Sequence, residues 1–106
     1  MPCAVVFAPE ADAQLEALYH YIAPQGSPST AERYTSAIVD TCEGLSLVPK
    51  RGVARDDIRP ELRVTHHKGQ TVIAYAVDEV AQQVQVLGVF YGGQDYAVAL
   101  GPDVDD

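Results

Sequence analysis

The sequence predicts a two-layer α+β domain in the order β-α-α-β-β-β, with a helical hairpin packed on a four-stranded, largely antiparallel sheet. Three observations carry this. Two stretches in the first half repeat apolar residues at spacings of three and four, which lines one face of a helix. Three short β-prone runs divided by turn residues fill the second half. One brief apolar run precedes them all.

That opening run, Cys3-Ala4-Val5-Val6-Phe7, reads as a buried strand and stops at Pro9. Pro9 suits the first position of a helix, and Glu10 and Asp12 fall in the first turn, where the helix dipole favours anions. Ala11, Leu15, Leu18 and Ile22 form the apolar face, and Pro24 and Gly26 end the helix. A second helix starts near Ser27-Pro28-Ser29, with Ser29-Thr30-Ala31-Glu32 read as a capping box. Its stripe is Tyr34, Ile38, Cys42 (or Thr41), Leu45 and Val48, and Pro49 stops it. So short a link between the two helices predicts an antiparallel hairpin.

An arginine-rich loop follows, and then the three strands. Leu62 to Lys68 alternates, with Leu62 and Val64 on one face and Arg63, Thr65 and His67 on the other. Thr71 to Val77 and Val84 to Phe90 are apolar on both faces, which predicts the sheet interior. Lys68-Gly69 and the Asp78-Glu79 region supply the turns. Counting directions along this order places the first strand antiparallel beside the last.

At 106 residues the chain predicts a single domain over residues 1–100 and a frayed acidic tail at 101–106. Six of the seven cations, Lys50, Arg51, Arg55, Arg59, Arg63 and Lys68, lie within nineteen positions that also hold Asp56, Asp57 and Glu61. That window carries +3 and the remainder −11, which gives the net −8. An acidic body with one basic patch meets an anionic partner locally and repels polyanions as a whole. Direct sequence-specific nucleic-acid binding is therefore not expected. Cys3 and Cys42 lack metal-ligand spacing and read as free, buried thiols in a cytoplasmic protein. No apolar run reaches the ~20 residues of a membrane span. Gly92-Gly93 lacks the Lys and spacing of a phosphate cradle and reads as a tight turn. No cofactor or metal is expected.

Two stretches carry a family resemblance. One is Pro49-Lys50-Arg51-Gly52, Arg55-Asp56-Asp57-Ile58-Arg59-Pro60 and Leu62-Arg63. The other runs from Val72-Ile73-Ala74-Tyr75-Ala76-Val77 to Val86-Leu87-Gly88-Val89-Phe90-Tyr91-Gly92-Gly93-Gln94-Asp95. Together with the helical hairpin they resemble the RelE/ParE superfamily of bacterial toxin proteins, and the ParE branch most closely. The resemblance covers nearly the whole chain up to about Leu100.

It implies the toxin of a type II toxin–antitoxin pair, held inactive by a cognate ParD-like antitoxin in a hetero-oligomer. ParE-like members poison DNA gyrase by protein contact and are thought to use their C-terminal end against it. RelE-like members cut messenger RNA on the ribosome, and a third alternative keeps the antitoxin grip without toxicity. RNA cleavage would need a proton acceptor, a proton donor and cations at the phosphate, for which this chain offers Arg63, His67 and Tyr91. Gly88 stands where nuclease members tend to have Arg. The ParE reading has no catalytic residues. Antitoxin or target contact then falls to Arg55, Arg59, Arg63, Tyr91, Gln94, Asp95 and Tyr96, with Arg63 facing outward from its strand. Arg55 and Arg59 have a second reading, as pins that tie the loop down through Asp56, Asp57 or Glu61. Tyr75 is read as a core residue with a satisfied hydroxyl, and Asp95 as the cap of a short final helix.

Overall fold

A computed structural model describes residues 3–101. Strand β1 (Ala4–Phe7) leads into helices α1 (Pro9–Ile22) and α2 (Pro28–Glu43), which form the hairpin. Strands β2 (Val53–Ala54), β3 (Leu62–His67), β4 (Thr71–Asp78) and β5 (Gln83–Tyr91) follow, and helix α3 (Tyr96–Leu100) closes the chain. They build one sheet in the order β1-β5-β4-β3-β2. The predicted α+β class and the interior place of β4 and β5 are observed. The residues assigned to the acidic tail lie outside the described residues, except Gly101.

Two expectations are corrected by one residue pair. Among the described residues the sheet has five strands, and β1 runs parallel to β5. The added strand is β2, which pairs Val53 with Val64 and Ala54 with Arg63. It reverses the chain once between α2 and β3. Every later strand then points opposite to a count made without it, so the β1–β5 pairing turns from antiparallel to parallel.

The sheet has an apolar layer on each face. Against the hairpin lie Ile38, Leu45, Ile73, Tyr75, Val84 and Val86, all essentially inaccessible to solvent. Burying each aliphatic side chain contributes about 1.5–3 kcal/mol. The opposite face is covered by the end of the chain and the loop before β3. There Ile58, Leu62, Val64, Ala74 and Phe90 pack with Tyr96, Ala97 and Leu100. Tyr75 is the largest fully buried side chain, and its hydroxyl accepts from Gly52 N at 2.8 Å. This satisfied core tyrosine ties the loop before β2 to the sheet.

Local details also differ from expectation. The cap of α2 is Ser27, whose hydroxyl accepts from Thr30 N at 3.1 Å, two residues before the Ser29 of the expected capping box. That helix ends at Glu43 and tightens into a short 3-10 turn, Gly44–Ser46. Leu45 thus stays in the core, while Val48 is half exposed beyond it. Both cysteines are free, and burial pushes the Cys42 thiol up to about 12, leaving it unreactive. Among the described residues no helix is long and apolar enough to cross a membrane.

Candidate functional site

Arg55 sits at the centre of the best-organised polar cluster. Its guanidinium donates to both carboxylate oxygens of Asp57 at 3.0 Å and to Tyr96 Oη at 2.7 Å. The fork geometry of arginine allows both contacts at once. This hydrogen bonding stabilises the charged Arg55 and holds the Asp57 carboxyl below its ordinary value. The guanidinium also lies 5.9 Å from the Tyr96 ring centroid, and Tyr96 leans on Phe90 at 6.2 Å. Arg55 therefore pins α3 to the loop before β3, and Asp95 caps that helix by accepting from Val98 N at 3.1 Å. Arg55→Ala is expected to leave the sheet intact while loosening α3. Amide exchange should speed up at Val98 and Ala99 and stay unchanged in β4, and equal speeding throughout would refute the pin.

The remaining loop cations divide. Arg59 is exposed, and among the described residues its side chain has no hydrogen-bond or ion-pair partner. Arg63 is half-buried and turned onto its own loop, where Nη1 donates to Gly52 O at 2.7 Å and to Lys50 O at 3.2 Å. The outward orientation expected for Arg63 is thus corrected. The residue lies on the face opposite Leu62 and Val64 as alternation predicts, but that face is Tyr75's, packed under the hairpin, and carbonyls of the crossing loop capture the guanidinium there.

His67 and Tyr91 belong to a different region. Four rings form a row: Tyr21 to Tyr91 at 6.1 Å, Tyr91 to Tyr34 at 5.8 Å, and Tyr34 to His67 at 5.7 Å. Tyr21 is 58% exposed at one end and His67 only 7% exposed at the other. Thr41 Oγ1 lies 3.0 Å from Ala37 O, to which it donates, and 2.9 Å from His67 Nδ1. Its one proton is committed to the carbonyl, so His67 Nδ1–H must be the donor to Thr41. His67 Nε2 is then a bare lone pair, buried without a partner. Burial, with the neighbouring Lys68 charge adding, holds the His67 pKa below 6.5.

The three residues that RNA cleavage would require are not gathered at one accessible point. Arg63 is paired with Tyr75 across β3–β4, whereas His67 is paired with Thr71 at the other end of β3. His67 has one nitrogen engaged and the other enclosed. Nor is there room for a cation at position 88. A Cβ there would lie 2.7 Å and 2.8 Å from Phe90 ring atoms, and that ring is itself buried against Tyr96.

Sequence reading missed Gln14. It supplies Oε1 to Val89 N at 2.7 Å, 75 positions away. Gln94, a candidate from sequence, does the same for Tyr91 N at 3.0 Å. The available signal for Gln14 was a polar residue one position ahead of Leu15, beside the apolar face of α1. Nothing local said what it would meet. Tyr34, also read only as core, donates to or accepts from Thr71 Oγ1 at 3.0 Å and anchors the ring row.

A helical hairpin on a mixed five-stranded sheet is a fold that this chain shares with two solved toxin–antitoxin structures. The chromosomal ParDE system of P. aeruginosa superposes with TM-score 0.73 at 20% identity, covering 85% of this chain and 96% of that one. The toxin–antitoxin complex RelBE2 of Mycobacterium tuberculosis does so with TM-score 0.63 at 22% identity, covering 86% and 99%. No curated protein is significantly similar in sequence. Residues 5–96 match the family model of the ParE toxin of the type II toxin–antitoxin system parDE, and the chain belongs to that family.

Proposed function

We infer that the chain is a ParE-type toxin that inhibits DNA gyrase by protein contact and is neutralised by a cognate ParD-like antitoxin in a hetero-oligomer. The observation that carries this reading is the dispersal of Arg63, His67 and Tyr91, together with the Phe90 ring that fills the space beside Gly88. Acid–base cleavage of RNA needs a donor and an acceptor within reach of one phosphate and cations around it. Inhibition by surface contact needs neither. An acidic body steers toward basic protein surfaces, which suits a target that itself handles DNA.

The similar solved structures are toxin–antitoxin systems, which supports an antitoxin as partner here. Arg59, exposed on the loop, is the cation best placed to meet an antitoxin carboxylate. Arg55, Asp95 and Tyr96 serve by presenting α3, and Arg63 serves by fixing the loop.

Purified chain is expected to block supercoiling by purified gyrase or to trap its cleaved-DNA complex, with Tyr91→Phe nearly as potent as wild type. Addition of the antitoxin should restore supercoiling. Messenger cleavage in a translating extract, lost in Tyr91→Phe and Arg63→Ala while gyrase is untouched at excess toxin, would overturn this reading in favour of an RNA-cleaving toxin.

A further inference from the structure

Strand β5 outlasts its neighbour. β1 pairs with it only from Gln83 to Val86, so beyond Val86 that side of β5 has no strand among the described residues. The N–H groups of Val89 and Tyr91, two residues apart, emerge there and donate to the carboxamides of Gln14 and Gln94. A backbone N–H can be answered only by the oxygen of a carboxamide, so both amide orientations are fixed. Each Nε2 is thereby turned away from the strand with two donors open to solvent, Gln14 being part-buried and Gln94 exposed, and among the described residues neither has a protein acceptor.

Both glutamines line one pocket of about 340 Å³ between α1 and the end of β5. Leu18 and Val89 give it an apolar floor, and the rings of Tyr21 and Tyr91 flank it. None of its lining residues is charged, in a chain of net charge −8. Such a pocket suits hydrogen-bond acceptors carried on an apolar body. A phosphate would find no cation there. The volume is at the small end for cofactor sites and fits one or two side chains with the carbonyls that flank them.

We propose that this pocket receives an extended apolar segment of the antitoxin, with backbone carbonyls accepting from Gln14 and Gln94 Nε2 and one apolar side chain entering between Tyr21 and Tyr91. The assignment rests on the reading of the chain as an antitoxin-bound toxin. Its logic is that of peptide recognition by fixed donors around a side-chain pocket.

The double variant Gln14→Glu/Gln94→Glu separates binding from folding. Each glutamate keeps an oxygen for Val89 N or Tyr91 N, so the strand edge stays capped, while the outward donors are lost. The variant should melt close to wild type. The probe is the blocked dipeptide N-acetyl-leucyl-leucine methylamide, followed by nitrogen–proton correlation spectra. In wild type it is expected to shift the side-chain amide signals of Gln14 and Gln94 and the ring signals of Tyr21 and Tyr91. In the variant it should bind on the order of tenfold more weakly, and so should the antitoxin, since two neutral hydrogen bonds are removed. Unmoved wild-type signals, or antitoxin held as tightly by the variant, would overturn the assignment while leaving the toxin reading intact. Failure of wild type to bind any antitoxin would overturn both.

Discussion

Valine at position 52 is expected to destabilise the fold by about 3 kcal/mol, the combined scale of a forced core clash and a stranded buried hydroxyl. A Cβ on Gly52 would lie 2.7 Å from Tyr75 Oη and 2.8 Å from Val64 O, both closer than such atoms pack. Neither neighbour can yield. Val64 is held between β2 and β4, and Tyr75 is wholly enclosed. The loop must lift instead, which breaks the bond from Gly52 N to Tyr75 and the Arg63 contact with Gly52 O. Urea unfolding should show a lower midpoint with an unchanged slope. Gly44→Ala is the control, because a Cβ there meets nothing within 4 Å and the backbone is already helical. It should be neutral or slightly stabilising. Equal stability of Gly52→Val and wild type would show that the loop is not pinned as described.

Gly52 also marks where sequence reasoning ran out. The helices and the two central strands were legible because each repeats apolar residues with its own period over many positions. Strand β2 has two residues, both exposed, and it exists only because β3 is there to pair with it. No periodicity can announce so short an element, yet it sets the direction of every strand after it. Capping and turn chemistry behaved similarly at the far end. Asp95 and Gly92-Gly93 could be read because their partners lie within a few residues. The cap was placed two positions late, at Ser29, because Ser27 and Ser29 both precede the apolar stripe of α2 and a serine hydroxyl at either position can cap a helix. The candidate site was legible as a list of residues but not as a place. Arg55 meets Tyr96 across 41 positions, and Tyr21 meets Tyr91 across the whole hairpin and sheet. Outward orientation for Arg63 followed from strand alternation, whereas its actual partners are carbonyls of a loop whose path the sequence does not encode locally.

Acid should weaken this protein through His67, and His67→Leu should abolish the effect. The neutral ring donates from Nδ1 to Thr41, while Nε2 is enclosed without an acceptor. A proton added there would create a buried charge. The groups around it are Tyr34 and Thr41 from α2, Thr71 from β4, His66 on its own strand and Lys68 in the turn that follows it. No carboxylate pairs with it among the described residues, and Lys68 opposes the charge. Burial thus holds its pKa below the ordinary 6.5. The unfolded chain takes up this proton near the ordinary value, the folded chain only at lower pH. Between the two the unfolded state binds more protons, so stability falls as pH drops through that window and levels off once the folded ring is also charged. Leucine is close to histidine in volume and needs no partner. Thr41 remains satisfied without the ring, because it still donates to Ala37 O. At pH 7.5 the variant should lie within about 1 kcal/mol of wild type, the scale of a volume-conserving exchange that gives up one hydrogen bond. Thermal unfolding across the acid range should then find wild type losing stability below pH 6.5 relative to the variant, so that the gap between them closes or reverses. Parallel curves for the two proteins would show that His67 remains neutral throughout or finds an acceptor when charged.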